Sequence, residues 1–278
     1  MKVRMLFCVM FLTAAMFAGH LSLHHAALSA SEKDVEEEDI EELEEEILAK
    51  AEKLKQEADA LFEKGGIEEL EEMIGIYEEL LKDYPDSFES NWKIARGCRF
   101  YADLANRMEV EGWEEICEKY GKKGMEYARK SIELEPERPE GYYYYGLCAG
   151  SYSDGVGLFT ALKEGLKNKT KDNLEKAYEI DKNFADGGPI IALGRFWQVV
   201  PWPYTDKDKA MEYYREYQET EFFEKPGSVN ARVWMAEILI DRGGSQAEEE
   251  ARKLLQKAIE FTDDPYWEKE ADRLLEEI

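Results

Sequence analysis

Apolar residues recur at steps of three and four along most of this chain, and that period predicts helices rather than strands. Ile40, Leu43, Ile47, Ala51, Leu54, Ala58 and Leu61 mark one amphipathic helix within Ser31–Lys64, acidic at its start and closed by Gly65-Gly66. We expect its first residues, to about Asp39, to fray and the rest to dock on the first repeat, a coiled coil being the alternative. A second helix is expected over 67–84, ending at Tyr84-Pro85, and a third from a cap at Asp86 or Ser87 to about Met108, carrying Phe88, Trp92, Ala95 and Arg99. Trp113–Leu134 reads as a helix that Gly121 and Gly124 kink or split. Pro139 opens another, and Ser151–Gly157 is too rich in glycine for plain helix. Short helices come next at 158–166 and 171–180, then longer ones at 206–217, 228–241 and 245–261. A last helix, 266–278, carries Ala271 and Leu274 inward.

The stretch 185–214 shows how these segments pair. Ile190, Leu193, Gly194 and Trp197 match the first helix of a tetratricopeptide (TPR) repeat, W-x2-L-G-x2-Y, in which large residues form one buried face and the glycine admits a neighbouring helix. Beyond Pro201-Trp202-Pro203, Ala210 and Tyr214 face inward from the partner helix. Tyr142, Tyr145 and Gly146 repeat the pattern. Four helix endings resemble one another, at 77–85, 128–136, 174–182 and 254–262. Their spacing implies units of about 40 to 50 residues, longer than a plain repeat of about 34, so they carry insertions. The predicted fold is all-α, a TPR-like solenoid of antiparallel helix pairs over residues 67–278, with a C-terminal capping helix.

Residues 1–30 stand apart. Lys2 and Arg4 precede an apolar run and then small residues to Ala30, the layout of a secretory signal peptide cleaved after Ser29 or Ala30; an uncleaved anchor is the alternative. Cys8 is too early, and lacks the preceding small residue, for lipid attachment, so a soluble exported, periplasmic protein is expected. The three histidines, His20, His24 and His25, all lie in this leader. Without them the remainder has no Ser-His-Asp or Cys-His pair and no usual zinc set, and its Gly-Gly pairs fall at helix boundaries, so no catalysis, metal or cofactor is expected. Cys98 and Cys117 could pair across neighbouring helices, or all three remaining cysteines could be small buried residues. A net charge of −26 repels phosphate backbones, which argues against a nucleic-acid partner.

Aromatic residues carry the binding signal, with 16 Tyr and 6 Trp in the chain. Tyr142, Tyr145 and Trp197 fit core packing. Tyr143, Tyr152, Phe159 and Trp202 are surplus to the repeat and are candidates to line a ligand groove or channel, with Trp197 at its edge. Arg195 is the basic residue of that neighbourhood, available to a carboxylate ligand or to an acidic side chain beside it.

A secretory leader, divergent TPR units with a glycine-containing insertion, and A-D-G-G-P-x-x-A-L-G-R-F-x-x-x-x-P-W resemble the T-component of TRAP transporters over about residues 67–262. The resemblance implies a periplasmic α-solenoid, a trimer with a pore through each protomer, and association with the substrate-binding P-component that delivers small organic acids. It would put Trp197, Pro201 and Trp202 near the pore, with Gly187, Gly188, Pro189 and Gly194 holding its backbone. LEKAYEID followed by LGR-aromatic-Trp is also similar to the helical-repeat regulators of microtubule dynamics, whose cytoplasmic setting the leader argues against. A general TPR scaffold for a protein partner is the alternative function.

Overall fold

Helix ends fall where the chain supplies caps. The computed structural model describes residues 37–278; the leader, with Cys8 and the histidines, lies outside the described residues. Among the described residues eleven α-helices run in order: α1 (Glu37–Lys64), α2 (Ile67–Asp83), α3 (Phe88–Arg107), α4 (Trp113–Leu134), α5 (Pro139–Lys163), α6 (Leu166–Asp181), α7 (Phe184–Val199), α8 (Lys207–Gln218), α9 (Val229–Arg242), α10 (Ser245–Phe261) and α11 (Pro265–Leu275). Ser87 caps α3 by accepting from the Ser90 N–H at 3.2 Å, and Asp206 and Asp264 cap α8 and α11 in the same way. Proline takes the first turn of α5 and α11, where its missing N–H costs nothing. Among the described residues there is no strand, and no helix is long and apolar enough to cross a membrane.

Sequential helices pack as antiparallel pairs, and α3 also touches α5, and α9 touches α11, as a solenoid requires. Ile190 and Leu193 are fully buried between the layers, where truncation to alanine costs about 2–5 kcal/mol. A methyl at Gly194 would sit 2.5 Å from the Tyr214 ring, and one at Gly146 would sit 2.6 Å from Leu174. Both repeat glycines therefore mark close helix approach. The cap behaves as expected: Ala271 and Leu274 are buried against the last pair.

Several expectations need correcting. α4 is continuous, because Gly121 and Gly124 are not breaks but contact points for α5: a methyl at Gly121 would lie 2.5 Å from the Tyr152 backbone nitrogen, and one at Gly124 would lie 2.3 Å from Cys148 Sγ. α5 runs through Ser151–Val156 as helix and breaks only at Gly157, whose φ of 75° a residue with a side chain rarely adopts. Tyr144, not Tyr142 or Tyr145, is the buried tyrosine of that run, since both of those are only half-buried. All three described cysteines are free and buried, and Gly124 lets Cys98 neighbour Cys148 rather than Cys117.

α1 is docked over only part of its length. Its core contacts begin at Ala51 and continue through Leu54, Ala58 and Leu61. Asp59 fastens it by accepting from Lys93 (2.6 Å), Arg96 (3.3 Å) and the Tyr77 hydroxyl (3.0 Å). Upstream, Leu43 and Leu48 are 49% and 55% exposed.

Candidate functional site: a concave groove and a convex cleft

The odd-numbered helices line the inner side of the stack. On α3, Arg99, Asp103 and Arg107 stand one helical turn apart and form a ladder of ion pairs, Arg99–Asp103 and Arg107–Asp103, both at 2.9 Å. Arg99 also donates to Ser151 Oγ of α5 at 3.2 Å. Arg107 reaches beyond its own layer to Asp264 at 2.6 Å, joining the end of α3 to the start of the cap, and its guanidinium lies 5.5 Å from the Tyr266 ring centre. On α7, Arg195 pairs with Glu237 of α9 at 3.4 Å and lies 4.7 Å over the Trp234 ring. Gln198 bridges the same wall: it donates to Glu237 at 2.9 Å and accepts from the Tyr214 hydroxyl at 2.8 Å.

These contacts surround a groove that water still reaches. Asp154 of α5 projects into it, accessible along the open side, and among the described residues makes neither an ion pair nor a hydrogen bond. Crowding by the groove walls pushes its carboxyl above the usual range, Arg99 and Arg195 opposing the shift and Asp103 reinforcing it. A buried wall does the same to the Tyr143 hydroxyl, pushed up to about 12. Tyr143 packs edge-on to Phe184 at 5.5 Å, and its hydroxyl lies against Gly188. The arginines are each already partnered, so the free recognition element of the groove is the Asp154 carboxylate. Such a surface suits a polar chain segment carrying a lysine or arginine.

The outer side is different. A cleft of about 260 Å³ opens where α4 meets the end of α5 and the start of α6. Lys122, Arg129 and Lys169 rim it, with Met125, Tyr145, Tyr152 and Leu166 between them and Glu126 and Glu164 as its carboxylates. The Tyr152 hydroxyl donates to Glu164 at 3.4 Å.

The six residues expected to line one channel therefore separate. Tyr143 and Arg195 face the groove, and Tyr152 faces the cleft. Trp197 is half-buried between two core clusters, with Lys209 3.9 Å over its ring. Phe159, in the helical segment of α5 after the Gly157 break, and Trp202, at the turn after α7, are 84% and 88% exposed. Tyr152 lines the cleft, whereas Trp202 stands in solvent, so the two do not meet at one site. Nor is Arg195 the only cation near the aromatics, since Lys167 lies 3.7 Å over the Tyr204 ring. The groove ladder on α3 and the basic cleft were both missed. Arg99, Asp103 and Arg107 share an i, i+4, i+8 spacing that could have revealed the first.

A protein-family model described as regulator of microtubule dynamics protein 1-3 matches residues 54–200, from the docked half of α1 to the end of α7. The chain belongs to that family. Regulator of microtubule dynamics protein 1 from Bos taurus is 26% identical over 179 residues, 64% of this chain and 49% of the relative. Its counterpart from Mus musculus is 22% identical over 187 residues, 62% of this chain and 57% of the relative. The chain thus spans about half the length of the curated relatives it matches. A solved thermophilic TPR protein from Thermus thermophilus superposes with a TM-score of 0.59 at 15% identity, covering 81% of this chain and 98% of that one, which supports the fold alone.

Membership in the regulator family overturns the resemblance to a TRAP T-component. The residues that suggested the transporter report helix packing: Gly194 admits Tyr214, Gly187 takes a left-handed turn with φ 80°, and Gly155 meets the α4 backbone. Any divergent helical repeat needs these. Trp202, which closed the motif, lies outside the matched residues and in solvent. The solute-receptor partner, the trimer and its pore came with that resemblance and have no support without it.

Proposed function

We propose that this chain is a non-catalytic helical-repeat scaffold that holds a segment of a protein partner along its concave groove, with a lysine or arginine of that segment on Asp154. The Asp154 carboxylate, unpaired among the described residues and set among arginines already held by other carboxylates, carries this reading: Arg99 and Arg195 offset its crowding only in part, and a cationic side chain placed on it removes the remaining cost. The relatives' name associates them with microtubule dynamics, and a partner from that system is one occupant the groove would accept. A small carboxylate ligand is less well served, because Arg195 is already held by Glu237 and Trp234.

The test is a photo-crosslinking amino acid placed at Tyr143 in the groove and, separately, at Phe159 outside it, in cells that make the chain. A partner captured from position 143 and not from 159, and lost in Asp154→Lys, supports the reading. Capture that is equal at both positions, or indifferent to Asp154, sinks it.

A further inference from the structure

The chain is strongly acidic, yet the two segments that form the outer cleft are basic. Residues 119–130 and 163–171 together hold nine lysines and arginines against two glutamates. Lys122, Arg129 and Lys169 have no ion-pair partner among the described residues, and they surround the apolar faces of Met125, Tyr145 and Tyr152. Lys123, Lys130 and Lys171 are paired with Glu78, Asp86 and Glu175, whereas the three cleft cations have Glu126 and Glu164 beside them without pairing to either, and an acidic surface laid across them would relieve their mutual repulsion.

The complementary surface is on the same molecule. Upstream of its docked half, α1 continues as a helix whose residues 42–50 reach about 13 Å beyond the first core contact. Glu42, Glu44, Glu45 and Glu46 make this arm acidic, and Leu43, Ile47 and Leu48 give it an apolar stripe. Both leucines are about half exposed, although α2 runs alongside the rest of the helix. The arm continues a helix that Asp59 fixes to Lys93 and Arg96 of α3, whereas the cleft is built by α4, α5 and α6.

We propose that the acidic arm of one copy docks in the basic cleft of another, its carboxylates on Lys122, Arg129 and Lys169 and its leucines on Met125, Tyr145 and Tyr152. Arm and cleft are different surfaces, so the contact is head-to-tail. Each added copy presents a new arm and a new cleft, and the assembly grows as a chain rather than closing as a two-fold dimer. This inference does not depend on what occupies the concave groove.

Sedimentation velocity on the full chain tests it. At 50 mM salt the mean mass rises with protein concentration, and at 500 mM salt association weakens by about tenfold or more, because screening removes the charge attraction. Leu43→Asp with Leu48→Asp disables the arm, and Lys122→Glu with Lys169→Glu disables the cleft. Each double variant alone is monomeric, with an unchanged far-UV circular dichroism spectrum, since all four positions are exposed. Mixed, the two variants keep one good arm and one good cleft between them and form a 1:1 pair that does not grow. A full chain that stays monomeric at every concentration in low salt, self-association that survives in both variants, or variants that do not pair when mixed would each overturn the proposal.

Discussion

Gly121→Ala is the sharpest test of how this solenoid is held together. The added methyl would stand 2.5 Å from the Tyr152 backbone nitrogen, 2.7 Å from its Cα and 2.8 Å from its Cβ. No rotamer relieves a clash with backbone, so α4 and α5 must part by about 0.9 Å to restore ordinary contact. Overpacking of this kind costs about 1–3 kcal/mol, while the better helix propensity of alanine returns up to about 1 kcal/mol. The expected net loss is about 1–2 kcal/mol, or about 2–8 °C in Tm for a chain of this size. Gly150→Ala supplies the control. It lies in α5, a methyl there meets nothing within 4 Å, and only the propensity gain of about 0.5–1 kcal/mol remains. Urea unfolding followed at 222 nm, with equal m-values, compares the two variants with the parent. If Gly121→Ala proves as stable as Gly150→Ala, close α4–α5 packing is not what that glycine provides.

Other expectations rest on single features. Ser87→Ala removes the cap of α3 and should cost about 1 kcal/mol in the same urea assay, with Ser87→Thr largely neutral. Asp154→Asn should raise Tm at neutral pH. The folded-state pKa of Asp154 lies above its unfolded value, so stability is fullest below the unfolded pKa and declines as pH rises through the folded one, and the advantage of asparagine should vanish in acid. An Asp154→Asn advantage that persists unchanged at low pH would show that the carboxyl does not titrate as described. Trp202→Ala and Phe159→Ala, at exposed positions, should change stability by no more than about 0.5 kcal/mol, and a larger loss would mean that these rings are buried in solution.

Much of the fold was legible because the repeat signature is a packing code. Ile190, Leu193 and Gly194 sit where the pattern requires, and Tyr214 fills the space that the glycine leaves. The four consecutive tyrosines defeated the same code. At about 100° per residue they cover the whole helix circumference, and nothing local distinguishes Tyr144 from its neighbours. Glycine was misjudged as a breaker in Ser151–Gly157, where Gly155 instead presses on the α4 backbone. The candidate lining residues scatter for a related reason: surplus aromatics reveal nothing about which face of the stack they occupy. Tyr152 points outward, Tyr143 inward, Phe159 is exposed near the end of α5, and Trp202 lies at the turn after α7. The basic cleft was hidden beneath the overall charge of −26, because an average over the chain conceals two short segments of opposite sign. Arg107 and Asp264, 157 residues apart, belong to different repeats, and no periodicity connects them.

That last pair changes what kind of array this is. A simple run of repeats can gain or lose a unit at either end and unravel stepwise, since each unit answers only to its neighbours. Here the final helix is latched to the third, so duplication or deletion of any unit between them would leave the latch out of register, and the number of repeats is fixed by geometry.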